Sequence, residues 1–273
     1  MPRDIRELHA DPEAYAAELR RRWGGLLSYR YIGRRHPSID AGPADNTVTL
    51  RRDMRNASGG LLLAVLAIAA PEGGGLSDLD AVPNPVIHSC QLLDPGAGVT
   101  RIEVVTEVLK RGRQMSFSRS RIVDADNPAR VLALTAGEGV SIGAPPEGLT
   151  RIASEPLDVV DGPELPPLWQ VFGAHRRSDG HWSLPALTEE LASPDAALHI
   201  GPQFVVLEHA AMPADAQAVS SHVMFVARGK VGPFRVEVDT VGEHAARAQL
   251  FDEGNDDRLI TTASYQFRRD SLV

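Results

Sequence analysis

Residues 197–212 read ALHIGPQFVVLEHAAM. Gly201 and Pro202 open a short apolar helix here, and Pro213 closes it. Proline suits the first helical turn because its missing N–H would be unpaired there anyway. Phe204, Val205, Leu207, Ala211 and Met212 are apolar, yet Glu208 falls one turn after Phe204 and one turn before Met212, on the same stripe. A carboxylate on a buried stripe needs either a structural partner or a chemical task.

The chain around this helix has 273 residues, 43% of them hydrophobic, enough for one large domain or two small ones sharing a core. Its net charge of −8 excludes an overall basic field that would draw it to nucleic acid or an anionic membrane. A single cysteine, Cys90, rules out an internal disulfide and fits a reducing compartment. The N-terminus, MPRDIRELHADPEAYAAELRRRW, lacks the apolar run of a signal peptide, and the longest apolar run, 61–71, is too short to span a bilayer. A cytoplasmic protein without membrane insertion is expected. The nine histidines show no metal-ligand spacing, and no phosphate loop, dinucleotide fingerprint or Gly-x-Ser-x-Gly elbow is present.

Residues 4–22 predict an amphipathic helix, with Ile5, Leu8, Tyr15 and Leu19 on one side. Beyond it the chain follows one plan twice. Between about 45 and 142 the strand-like NTVTLRRDM precedes the apolar helix GGLLLAVLAIAA. Four strand-like runs follow: PVIHSCQLL, VTRIEVVTEVLKRG, RQMSFSRSRIVDAD and ARVLALTAGEGV. Between about 180 and 270, HWSLPALTEEL precedes the opening helix, and then come AVSSHVMFVARG, PFRVEVDTVGEH, AARAQLFDEGND and RLITTASYQFRR. The turns DADNPAR and DEGNDDR fall at matching places. The expected organisation is an N-terminal helix (1–25), a first repeat (26–142), a Pro-rich connector (143–179) and a second repeat (180–273).

One helix followed by antiparallel strands predicts an α+β fold, a sheet curled around a central helix. In this order, RRDMRNASGGLLLAVLAIAA with VVTEVLKRGRQMSFSRSRIVDAD, and ALHIGPQFVVLEHAA with AVSSHVMFVARGKVG, resemble the tandem hotdog acyl-CoA thioesterases. The resemblance covers about four-fifths of the chain by element order. It implies two hotdog repeats, each a curled antiparallel sheet around a central helix, forming one double-hotdog unit. It also implies an acyl-CoA substrate, no metal or redox cofactor, and room for a homodimer of such units.

In that family the helix opens with His-Gly-Gly, and an acid follows nine residues after the His. Amides at one helix start polarise the thioester carbonyl, because unpaired N–H groups there carry partial positive charge. The acid of the facing helix activates water or attacks the carbonyl. Here His199 and Glu208 have that spacing, whereas nine residues after Ser58 comes Ala67. The first repeat keeps Gly59 and Gly60 without the acid; the second keeps Glu208, with Pro202 in place of the second glycine. The resemblance therefore implies one composite site joining Gly59 and Gly60 to Glu208, and a second seam lacking its acid at Ala67. A structural reading of Glu208, an ordinary buried hydrogen bond, stands beside this.

The resemblance extends to further candidates. Asn56 is placed to hold a carbonyl or to cap the first helix. Ser220 or Ser221 would orient the water, and alternation lets only one of them face the site. His199 matches the family's histidine and is expected to contact substrate. His209 points away from Glu208 by about 100°, and Gln266 has no matching surroundings. Arg111 and Arg113 in KRGR, with Arg119, Arg121 and the ARGK at 227–230, are candidates for CoA phosphates; a solvated hairpin is the alternative. The run PNPVIHSC lacks the spacing of a hotdog hydratase site. The function expected is hydrolysis of an acyl-CoA thioester to free acid and CoA. The alternative is an inactive hotdog module that binds acyl-CoA or another protein.

Overall fold

The computed structural model describes residues 2–34, 46–71, 83–112, 114–141 and 156–269. Five helices are present among them: α1 (Pro12–Gly24), α2 (Leu27–Ile32), α3 (Leu63–Ala69), α4 (Leu168–Val171) and α5 (Ile200–Ala211). The strands of the first half are β1 (Thr47–Thr49), β2 (Pro83–Leu92), β3 (Arg101–Arg111), β4 (Met115–Asp124) and β5 (Asn127–Ser141). Those of the second are β6 (His175–Arg176), β7 (Trp182–Leu184), β8 (Ala216–Phe225), β9 (Phe234–Val241), β10 (Ala245–Asp252) and β11 (Arg258–Arg269).

All eleven strands form one sheet, in the order β1-β3-β4-β5-β2-β8-β11-β10-β9-β7-β6. Its two halves join where β2 pairs antiparallel with β8, Ser89 opposite His222. Read outward from that join, β2-β5-β4-β3-β1 and β8-β11-β10-β9-β7 follow the same sequence of elements. This is the expected α+β double hotdog: two curled antiparallel sheets fused edge to edge, each around its own helix. The turn between β10 and β11 puts Asp256 and Asp257 at positive φ, 55° and 50°, a conformation that Asp tolerates better than most residues.

The central helices pack on each other and share one core. Every residue of α3 is buried. A seven-residue helix is marginal by itself, but each fully buried Leu, Val or Ile in it contributes roughly 1.5–3 kcal/mol. Burial on all sides is why its sequence, LAVLAIA, has no polar face. α5 ends where Met212 turns extended (ψ 127°), as the residue before a proline must.

Several boundaries differ from the sequence expectation. The N-terminal helix is broken into a 3-10 turn, Ile5–Leu8, and α1, because Pro12 forces Asp11 out of the helical region and Asp11 then caps α1 through Ala14 N. α2 was not foreseen. α5 starts at Ile200, so Pro202 is its third residue and not its first; its N–H would still have no partner there. The first central helix starts at Leu63, not at Gly59. The connector contains α4 and β6.

Candidate active site

The backbone around the two helix starts repeats atom for atom. Leu62 N donates to Met54 O and His199 N to Leu191 O. Leu61 N donates to Pro95 O and Leu198 N to Gly229 O; Asn56 N donates to Gly60 O and Ser193 N to Ala197 O. Leu62 is therefore the counterpart of His199, four residues later than the Ser58 that sequence spacing selects. The counterpart of Glu208 becomes Pro71, beyond the end of α3, and not Ala67. The second seam lacks an acid on either register.

This shift changes what Glu208 meets. Leu62, the N-cap of α3, supplies no side-chain hydrogen bond to its own helix. Glu208 does so from α5: Oε1 accepts from Leu63 N at 3.0 Å and Oε2 from Ala64 N at 2.6 Å. The carboxylate is 4% exposed. Burial pushes its pKa up to about 7, against the opposing pull of the two amides. Tyr265, on the inner face of β11, lies close enough that the Glu208 charge adds to burial in holding its phenol protonated.

At the start of α5 the same orphan amides are served locally. His199 Nδ1 accepts from Gly201 N at 3.3 Å and from the Ser28 hydroxyl at 2.9 Å. Gly201 N can only donate, so Nδ1 is the acceptor and the proton of the neutral ring is on Nε2. Burial, with the nearby Arg228 and Arg34 charges, pushes the His199 pKa down to about 3. His199 is thus a buried helix cap packed edge-on against Tyr29. A Cβ on Gly201 would lie 2.4 Å from Ser28 Cβ, so α2 is seated directly on this helix start.

Gly59 and Gly60 do not offer free amides. Gly59 N donates to Asn56 O at 3.0 Å, and Gly60 N to Asn56 Oδ1 at 2.8 Å. Asn56 is in turn occupied at its other end, its Nδ2 donating to Gln217 Oε1 at 2.9 Å and to Ala216 O at 3.3 Å. Asn56 therefore holds a turn closed, and neither caps α3 nor presents a free donor. Gly59 adopts φ +88°, and a Cβ on Gly60 would sit 1.7 Å from Gln217 Oε1. Gln217, 2% exposed, ties this turn to the second repeat by donating to Leu61 O at 3.0 Å.

Ser220 faces outward, where its hydroxyl donates to Gln266 at 3.2 Å; the buried serine is Ser221, opposite Tyr265. The register shift between Gln266 and Phe267 reverses the expected alternation. His209 is stacked on Trp169 and edge-on to Trp182. Arg228 of the ARGK run pairs with the buried Asp195, Nε to Oδ2 at 2.8 Å, so it is not a free phosphate contact. Arg119 is paired with Glu107. Arg113 and the Arg111 side chain lie outside the described residues.

A cleft of about 620 Å³ opens over the Gly59–Gly60 turn, with Gln217 in its lining. Its counterpart over residues 193–197 is covered: Ile5 N donates to Pro194 O at 3.1 Å, and Arg228 and Lys230 close on Asp195. Gln217, Tyr265 and the Leu63 and Ala64 amides were not singled out in the sequence. Only alternation in AQAV and ASYQF pointed to Gln217 and Tyr265, and nothing marks an amide.

The fold defined by this sheet and helix pair is the double hotdog of thioesterases. The chain superimposes on an acyl-ACP thioesterase from Bacteroides thetaiotaomicron (TM-score 0.53, 13% identity, 81% of this chain and 96% of that one). It does so equally on an acyl-CoA thioesterase II from Mycobacterium marinum (TM-score 0.53, 12% identity, 86% and 98%). A 12:0-ACP thioesterase from Umbellularia californica is similar over 82% of this chain and 96% of its own (TM-score 0.51, 10% identity). No protein-family model and no curated protein matches the sequence. No helix among the described residues is long and apolar enough to cross a membrane.

Proposed function

We propose that the protein is a cytoplasmic thioesterase that hydrolyses an acyl-CoA or related acyl thioester, with Glu208 as its base. The observation that carries this reading is a buried carboxylate, with a pKa of about 7, held on two helix-start amides of the other repeat. A base of that pKa is half ionised at neutral pH and strong enough to take a proton from water. The thioester carbonyl takes over one of the two amides, where N–H groups and the helix dipole stabilise the developing oxyanion. Losing that hydrogen bond makes Glu208 more basic. Water then adds to the carbonyl carbon while its proton passes to Glu208; the C–S bond breaks and the thiolate leaves with the proton, giving free acid and thiol.

Release of free thiol from a panel of acyl-CoAs and acyl-ACPs tests this. Glu208→Gln should lower kcat by roughly 10²-fold or more. Turnover indifferent to that change removes Glu208 from the mechanism.

A second reading has its own support. Both amides are already taken by Glu208, so the carboxylate also works as a structural cap in a non-catalytic acyl-CoA-binding or protein-interaction module. Ligand-dependent thermal stabilisation without turnover of any thioester would select it.

A further inference from the structure

The cleft over the Gly59–Gly60 turn has an electrostatic character opposite to that of the whole chain. The protein carries a net charge of −8, yet Arg51, Arg52, Arg55 and Arg268 line this cleft against one lining carboxylate, Asp161. Arg51 is neutralised by Asp53 at 3.1 Å. Arg52 has a long ion pair with Asp161, and Arg55 and Arg268 have no carboxylate partner among the described residues. Arg55 donates only to carbonyls, those of Gly59, Gly96 and Val99. Arg52 approaches Asp161 no closer than 3.8 Å through its side chain, which is 58% exposed. Arg268, opposite Gln217 on the neighbouring strand, is exposed and has no carboxylate partner among the described residues.

Gln217 holds Leu61 O, and two residues further along the chain Leu63 N holds Glu208. Guanidinium groups lining a cleft whose Gln217 is tied to the chain segment that holds a buried carboxylate match a ligand with an anionic head. A volume of about 620 Å³ lies within the range of small-molecule sites. Guanidinium is the side chain best suited to a phosphate.

We propose that this cleft binds the phosphate end of a phosphopantetheine carrier, with Arg52 and Arg268 contacting the phosphate and Arg55 fixing the turn along which the arm runs. The identity of the arm rests on the thioesterase reading; the anion site does not. CoA and holo-acyl carrier protein both present this group, and they are separated by titrating each.

The test is calorimetric binding of CoA, of holo-acyl carrier protein and of pantetheine without phosphate, to the wild type and to the Arg52→Ala/Arg268→Ala variant. Both side chains are exposed, so a melting temperature equal to that of the wild type shows that the variant is folded. Wild type should bind CoA or the holo-carrier at least tenfold more tightly than pantetheine, and the variant should lose that advantage. Asp161→Asn, which removes the competing carboxylate, should tighten the same ligand. Equal binding of phosphorylated and unphosphorylated arms, or a double variant that binds both carriers as the wild type does, overturns the proposal. Binding with this pattern but without hydrolysis would remove the thioesterase reading and keep the site. Hydrolysis with KM unchanged in the variant would do the reverse.

Discussion

Glu208 Oε2 accepts a hydrogen bond from Ala64 N at 2.6 Å, across 144 residues of chain and between the two repeats. One carboxylate thereby completes a helix it does not belong to and sits where an acyl thioester would need both a base and an oxyanion donor. The two roles have different signatures in solution.

The catalytic role has a pH signature. A base with a pKa of about 7 is active when deprotonated, so kcat/KM should rise with pH through about 7 and level off above it. His199, pushed down to about 3, is neutral throughout this range and contributes no limb. A pH–rate profile whose acidic limb lies near 4.5, the ordinary value for Glu, would show that Glu208 is not the titrating base.

The stability signature runs the opposite way. The folded pKa is raised above the unfolded one, so between about 4.5 and 7 the unfolded chain binds fewer protons than the folded one. Stability therefore falls as pH rises through this window, by roughly 3 kcal/mol in all. Glu208→Gln removes the titration but leaves one helix amide without its acceptor, at a cost of about 1–3 kcal/mol. The melting temperature of Glu208→Gln relative to wild type should climb from pH 5 to pH 8. A difference that does not change with pH would mean that the carboxyl titrates at an ordinary value.

Gly60 and Gln217 should be energetically coupled. A Cβ at Gly60 would lie 1.7 Å from Gln217 Oε1, so Gly60→Ala expels the amide that holds Asn56 and Leu61 O, and should destabilise by about 1–3 kcal/mol. In a Gln217→Ala background the clash is absent and the same change should cost much less. Denaturant titration of the four proteins measures the coupling, and additive effects would contradict the packing described.

Replacing His199 by Ala should cost about 1 kcal/mol of stability through the lost cap and leave KM for an acyl-CoA unchanged. His199→Asn, which keeps a capping acceptor, should recover most of the stability. A KM raised in both variants would return His199 to the substrate site.

The strands and their order were legible because alternating β-branched residues and Asp/Asn-rich turns mark them locally. Glu208 was legible because a charge on an apolar stripe needs a partner. The partner itself was not. The run Asn-Ala-Ser-Gly-Gly looks like a helix start, and only in three dimensions does the Asn56 side chain close it as a turn, delaying α3 to Leu63. Which of Ser220 and Ser221 faces inward was not legible, because a strand irregularity, invisible to simple alternation, turns the first outward and the second in. The cleft arginines escaped notice because Arg268, on the last strand, is distant in sequence from Arg52 and Arg55 and joins them only when β11 pairs with β8 and Gln217 of β8 holds the Asn56 turn.

The cap that α3 borrows from α5 also has a consequence for the order of synthesis. A ribosome finishes the first repeat long before Glu208 is made, so α3 must wait with two amides unanswered and an apolar surface without its neighbour. The earlier-made half is thus the dependent one, while α5 brings its own cap in His199. Maturation of the nascent chain has its natural endpoint at the second repeat, when one late carboxylate closes the helix that was translated first.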